Sequence, residues 1–185
     1  MNALAPLRMS ADEFIAWAME QESGRYELVD GEVVQMAPER VGHARVKLQV
    51  AFVLIEAVRA RGLDCQVFTD GMAVRMGDRR VFEPDAMVRC GPPLPDDAVA
   101  VTDPLVVVEV LSPSTRAVDT GKKLAGYFSL PSLRHYLVLD PEDRTALHYR
   151  REDGRVAMEV VAADGALLLD PPGLVIPVAH LFEAP

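Results

Sequence analysis

"PLVVVEVLSPST", residues 104–115, decides how the chain is read. Residues 105–111 are apolar except for one position, and Ser112-Pro113 then breaks the run. Buried strands of α/β proteins have this near-continuous apolar character, so the stretch predicts a strand near the middle of a sheet. Glu109 interrupts it. An ionised carboxylate in such a place is costly unless a partner compensates it. The strand therefore predicts that something cationic meets Glu109.

The preceding segment, "RRVFEPDAMVRC" (residues 79–90), holds a second acid in a similar position. Asp85 follows Pro84 and heads the apolar run Ala86, Met87, Val88. Proline is tolerated at the first position of a strand, which puts Asp85 at a strand edge. If the two strands are neighbours, Asp85 and Glu109 converge, and one carboxyl would be driven toward protonation unless a cation intervenes. Mg²⁺ resolves that conflict, because it favours oxygen ligands and takes one or two carboxylates alongside waters and phosphate. The simpler alternative pairs Glu109 with Arg116 or Arg134 and leaves Asp85 capping a turn. Downstream, "DTGKKLAGYF" (residues 119–128) carries Lys122 and Lys123. An ammonium beside a metal site can position an attacking water and offset charge on a phosphate. Both lysines flank the Leu124–Phe128 face equally, so periodicity does not choose between them, and both also fit a solvated surface.

The rest of the chain reads as a frame for these strands. Ser10 with Glu13 fits a capping box, predicting a short helix from Ala11 to about Met19. "RYELVDGEVVQM" (residues 25–36) is a hairpin signal around Asp30-Gly31. In "GHARVKLQVAFVLIEAVRARG" (residues 42–62), Val46, Val50, Val53, Leu54, Ala57 and Val58 fall on one helical stripe, with Gly62 as its stop. Residues 64–75 and 80–88 read as strands separated by a turn at Gly77-Asp78. "CGPPLPDDAVAVTDP" (residues 90–104) is a loop. A helix is expected from about Val118 to Phe128, then the short strand "HYLVLD" (residues 135–140). An antiparallel meander with turns at Asp153-Gly154 and Asp164-Gly165 follows, closed by a small helix near His180. Helices packed on a mixed sheet give an α/β or α+β class.

Gross composition bounds the function. With 185 residues, about half of them apolar, a single domain spanning 1–185 is expected. The formal charge of −9 argues against a general nucleic-acid coat protein, but not against an enzyme built around a cation. Cys65 and Cys90 are too few for a disulfide framework or a zinc site, so the reducing cytosol is the default. No signal peptide or membrane-spanning run is evident.

Several of these motifs together resemble the Uma-two family. They are "YELVDGEVVQM", His43 at a helix start, "EPDAMV", "VVVEVLSPST", the Asp119–Lys123–Tyr127 spacing and "HYLVLDPE". Those proteins are expected endonucleases of the PD-(D/E)XK, or restriction-endonuclease-like, superfamily, and the match runs from about residue 10 to residue 180. The resemblance implies a mixed central sheet flanked by helices, with extra antiparallel strands, and a Mg²⁺-dependent phosphodiesterase site in which Mn²⁺ may substitute for Mg²⁺. Carried over by position, Asp85 and Glu109 look like the catalytic, metal-binding acids. The superfamily lysine two places after the second acid is replaced by Leu111; Lys123 matches a variant in which that lysine has moved to the next helix. Glu27 is a candidate additional ligand, or else an edge-strand charge that discourages aggregation. His43 is a candidate phosphate or water contact, or else merely packed. Glu83 is a spare acid outside the site.

The expected function is hydrolysis of nucleic acid, with DNA the expected substrate, by a metal-activated water. A homo-oligomer, dimer or higher, would suit cleavage of both strands of a duplex. The alternative is a non-catalytic member of the same fold acting as a binding or assembly module, which the acidic charge favours. A carboxylate-pair glycosidase would suit two acids, but Trp17 is the sole tryptophan and no aromatic sugar platform accompanies it.

Overall fold

The computed structural model describes residues 8–111 and 120–183. Local signals set the first elements. The Ser10 hydroxyl accepts from the Glu13 N–H at 3.3 Å while Glu13 accepts from the Ser10 N–H at 2.8 Å, which starts α1 (Ala11–Met19). Asp30 and Gly31 take positive φ of 52° and 86°, forming the tight turn between β1 (Tyr26–Val29) and β2 (Glu32–Gln35). The long amphipathic stretch is α2 (Val41–Ala60), burying Val50, Ala51, Leu54 and Val58 and ending at Gly62 with φ 61°.

Residues 64–75 do not form one strand. Gly71, at φ 94°, turns the chain between β3 (Cys65–Thr69) and β4 (Ala73–Met76), which belong to different sheets. Then come β5 (Arg80–Phe82), β6 (Ala86–Cys90), the short β7 (Ala100–Val101) inside the proline-rich loop, and β8 (Val106–Val110). The expected helix is α3 (Thr120–Tyr127). Its expected start at Val118 lies outside the described residues, as do Ser112, Ser114, Thr115, Arg116 and Asp119. "HYLVLD" is β9 (His135–Asp140), followed by β10 (Thr145–Glu152), β11 (Arg155–Val161), the hairpin β12 (Ala166–Leu169) and β13 (Leu174–Pro177), and a short 3₁₀ helix (Val178–Phe182).

The outcome is the mixed α+β architecture expected. A six-stranded sheet runs β11-β10-β9-β8-β6-β3, antiparallel except for β8 with β9, where α3 lies on the connection. A second sheet runs β2-β1-β5-β4-β7. On one face of the central sheet, Val106, Val108 and Val110 pack with α2, the β12–β13 hairpin and the 3₁₀ helix. On the other, Val107, Tyr136 and Val138 meet Tyr127 of α3 and Val74, Met76 and Phe82 of the second sheet. The quoted strand is thus buried on both sides, which explains its unbroken valines.

Cys65 and Cys90 form a disulfide across neighbouring positions of β3 and β6. The reading of two cysteines as no disulfide framework, with a reducing compartment as default, did not anticipate this single bridge. Cysteine count argued against a framework of several bridges, but the antiparallel register of β3 with β6 sets this one pair opposite each other. No helix among the described residues is long and apolar enough to cross a membrane.

Candidate active site

Asp85 and Glu109 are brought together by strand register. Ala86 pairs with Val108 between antiparallel β6 and β8, which brings Asp85, just before β6, near Glu109 toward the end of β8. Asp85, which precedes β6, meets His43 and Lys47 of α2, whereas Glu109 faces α3. Glu109 pairs on its other side with Val138, on the face where α3 lies. Asp85 is held by backbone: its own N–H donates to the Val108 carbonyl at 3.1 Å, and the Val110 N–H donates to Asp85 Oδ2 at 2.7 Å.

Each carboxylate meets its own ammonium. Lys123 of α3 donates to Glu109 Oε1 and Oε2 at 3.0 and 3.1 Å, and Tyr127, one turn on, donates its hydroxyl to Glu109 Oε1 at 2.7 Å. The guanidinium alternatives do not occur among the described residues; Arg116 lies outside them. Leu111 packs against the core, and the lysine arriving from α3 contacts the acid it was expected to serve. Lys122, its neighbour, is exposed. Glu27 also belongs here: buried on β1, it lies 3.1 Å from Lys123 Nζ and accepts the Glu83 N–H at 3.0 Å. It is not an exposed edge charge.

The second ammonium is one that sequence reasoning passed over. Lys47 of α2 is 4% exposed and reaches Asp85 Oδ1 at 3.1 Å, Asp70 Oδ2 at 2.9 Å, and Glu39. Its signal was present, because Lys47 stands three and seven residues before Val50 and Leu54, on the buried stripe of α2. His43, one turn earlier, donates from Nε2 to the Val110 carbonyl at 2.8 Å and lies 3.7 Å from Asp85 Oδ2. Its buried Nδ1 has no hydrogen-bond partner, the nearest carboxylate oxygen being Glu39 Oε2 at 3.7 Å. Glu83, read as a spare acid, joins Arg25 at 2.7 Å and accepts the Gly71 N–H. Arg25 extends the network to Glu39 and Asp70.

The electrostatics are lopsided. Six carboxylates (Glu27, Glu39, Asp70, Glu83, Asp85 and Glu109) share three permanent cations (Arg25, Lys47 and Lys123), a formal excess of three negative charges among the described residues when every carboxyl is ionised. Burial pushes the Glu109 carboxyl up, Lys123 pulls it back, and Asp85 and Glu27 push it up again, leaving it at about 7. Burial works against the Lys123 ammonium, but Glu109 and Glu27 more than offset this and raise its pKa. Lys47 is raised in the same way by Glu39, Asp85 and Asp70.

An oxygen-rich, buried, over-negative cluster suits a hard divalent cation. Glu39, His43 and Asp85 provide such a donor set, each presenting a ligand atom within 4.8 Å of the others. Glu109 lies outside that set, bonded to Lys123 and Tyr127. The orphaned Nδ1 of His43 is a donor atom of the kind a metal would engage.

The model of the Uma2 family, described as "Putative restriction endonuclease", matches residues 11–179. Two uncharacterised proteins of Synechocystis are similar: slr1290, 27% identical over 80% of this chain and 77% of its own, and sll1609, 28% identical over 74% and 77%. A crystal structure from Anabaena variabilis, titled a "putative nuclease belonging to DUF820", superposes with a TM-score of 0.76 at 19% identity. It covers 94% of this chain and 97% of its own, and shows that the fold is shared.

Proposed function

The chain belongs to the Uma2 family, and from that membership we propose that it is a metal-dependent nuclease hydrolysing phosphodiester bonds, with DNA as the substrate. The whole chain acts as one domain in this reading. One observation carries it: two carboxylates from adjoining strands, Asp85 and Glu109, stand in a network where six carboxylates meet three permanent cations. Asp85 and Glu109 would hold the ion, with Glu27 and His43 beside them. Mg²⁺, or Mn²⁺ in its place, supplies there a polarised water and a counter-charge for the phosphate. Lys123 stays cationic, so it orients the attacking oxygen and faces the charge that develops on phosphorus. Tyr127 fixes Glu109 Oε1 and with it the position of that ammonium. Two copies would serve the two strands of a duplex.

The test is nicking of supercoiled plasmid with Mg²⁺ or Mn²⁺ against an EDTA control. Wild type should nick only with metal, and Asp85→Asn or Glu109→Gln should abolish nicking while leaving the circular dichroism spectrum unchanged. Equal nicking by all three would assign the activity to a contaminant.

One observation favours a second reading, a non-catalytic binding module. Lys47 and Lys123 already bond Asp85 and Glu109, so each acid has an internal counter-ion. Thermal melting separates the two: an ion that binds the folded state must raise the midpoint. No shift at millimolar Mn²⁺ would favour the module.

A further inference from the structure

The outer edge of the central sheet is built to meet itself. β11 is its last strand, and among the described residues no strand pairs with its outer side. Such an edge is normally blunted by charged side chains, proline, a bulge or a covering loop, and the two charges on β11, Arg155 and Glu159, are of opposite sign. Here, seven residues pair with β10 in unbroken register. We propose that β11 of one copy pairs antiparallel with β11 of a second copy about a two-fold axis through Ala157, joining two central sheets into one. This inference is independent of the nuclease reading.

The register follows from the hairpin. Asp153 and Gly154, at φ 46° and 75°, form a two-residue turn closed by Glu152 and Arg155. The closing pair of such a turn exchanges both hydrogen bonds, and antiparallel ladders alternate from there. Arg155, Ala157 and Glu159 therefore direct N–H and C=O toward β10, while Val156, Met158 and Val160 direct theirs outward. The side chains of those last three are also uncovered, at 44%, 54% and 62% exposure. A two-fold pairing must set outward residues against outward residues, so the axis passes through a residue position.

Charge then chooses among the positions. With the axis at Ala157, Val156 faces the partner's Met158 through two hydrogen bonds, and Arg155 faces the partner's Glu159. Each contact occurs twice by symmetry. Arg155 makes no ion pair among the described residues. Glu159 bonds Arg150 at 2.7 Å and His148 at 3.1 Å, both through Oε1, so Oε2 is the oxygen that the partner's Arg155 would meet. An axis at Glu159 sets two like charges face to face. An axis at Met158 sets Arg155 against the partner's Val161 and Glu159 against the partner's Ala157, pairing neither charge. Opposite charges directly across strands stabilise and like charges destabilise.

Sedimentation equilibrium from about 1 to 100 μM should show a dimer. Met158→Pro removes an outward N–H without touching the β10 ladder, as prolines do on edge strands; it should raise the dimer dissociation constant about tenfold or more while the far-ultraviolet spectrum is kept. Ala157→Cys should cross-link between copies under mild oxidation, because the two positions meet at the axis, and the chain's own two cysteines are already paired. Met158→Cys should cross-link poorly. The proposal is overturned if wild type is monomeric at 100 μM, if Met158→Pro leaves the dimer intact, or if the cross-link forms at 158 rather than 157.

Discussion

At Glu109 the chain carries an acid where its neighbours are valines, and the lysine that answers it lies fourteen residues away on another element. That distance explains what was legible. An acid in an apolar strand announces itself, because its cost must be compensated; the compensating residue is set by tertiary geometry. Helical periodicity left Lys122 and Lys123 equivalent, whereas the structure buries one and exposes the other. Lys123→Gln should therefore cut metal-stimulated nicking by roughly 100-fold or more, while Lys122→Gln stays within about threefold of wild type. Similar losses in both would remove Lys123 from its assigned role. Lys47 illustrates the converse. A lysine in line with Val50 and Leu54 marks a buried cation, but which carboxylates it serves is set by tertiary geometry. Lys47→Met should leave Asp85, Asp70 and Glu39 without their common cation and cost about 3 kcal/mol or more of stability in metal-free protein. Urea denaturation in EDTA measures this, and millimolar Mn²⁺ should return part of the loss.

Among the elements, α3 sets the reach of Lys123, and its approach to the second sheet depends on one small residue. A Cβ on Gly126 would lie 2.7 Å from Phe82 Cε2 and 3.4 Å from Met76 Sδ. Phe82 is fully buried and packs edge-on against Tyr127 with ring centroids 5.5 Å apart, so it has no room to yield. Gly126→Ala should then destabilise by about 1–3 kcal/mol through overpacking, and should also weaken metal response by moving Lys123 and Tyr127 off Glu109. Gly121 is the control, on the same helix with nothing among the described residues within 4 Å of an added Cβ. There alanine should be neutral or stabilise by up to about 1 kcal/mol through helix propensity. If Gly126→Ala proves as harmless as Gly121→Ala, close approach of α3 is not what seats the lysine. Elements with a local cause were readable: the capping box of α1, the Asp30-Gly31 turn and the stripe of α2. The division of residues 64–75 was missed although Asp70-Gly71 is a turn pair like Asp30-Gly31; what that pair does not disclose is that Asp70 meets Lys47 and Arg25.

Across the whole molecule, the buried pair His135 and His148, both lowered by burial, titrates with a sign opposite to that of Glu109 on the same sheet. His135 donates from Nε2 to the Pro171 carbonyl at 2.9 Å and shares its Nδ1 with His148 Nε2 at 2.9 Å. Burial lowers its pKa to about 4, and His148 adds to the effect. The unfolded chain therefore takes up this proton first. Stability from His135 is present above about 6.5 and lost as pH falls toward 4. Glu109 runs the other way. With a folded pKa near 7, its contribution is complete below about 4.5 and lost as pH rises through 7 in metal-free protein. The two partly cancel between pH 4.5 and 6.5, so wild type in EDTA should show a shallow stability profile there. Removing one exposes the other. Glu109→Gln should lose on the order of 2 kcal/mol more than wild type on acidification from pH 6.5 to 4.5. His135→Asn should instead gain stability relative to its own value at pH 6.5 over the same interval. Millimolar Mg²⁺ should mimic Glu109→Gln in the wild type, since a cation at the site holds that carboxylate ionised in the folded state. Urea midpoints at pH 6.5, 5.5 and 4.5 decide the matter: parallel profiles for the three proteins would mean that neither group titrates as its surroundings require.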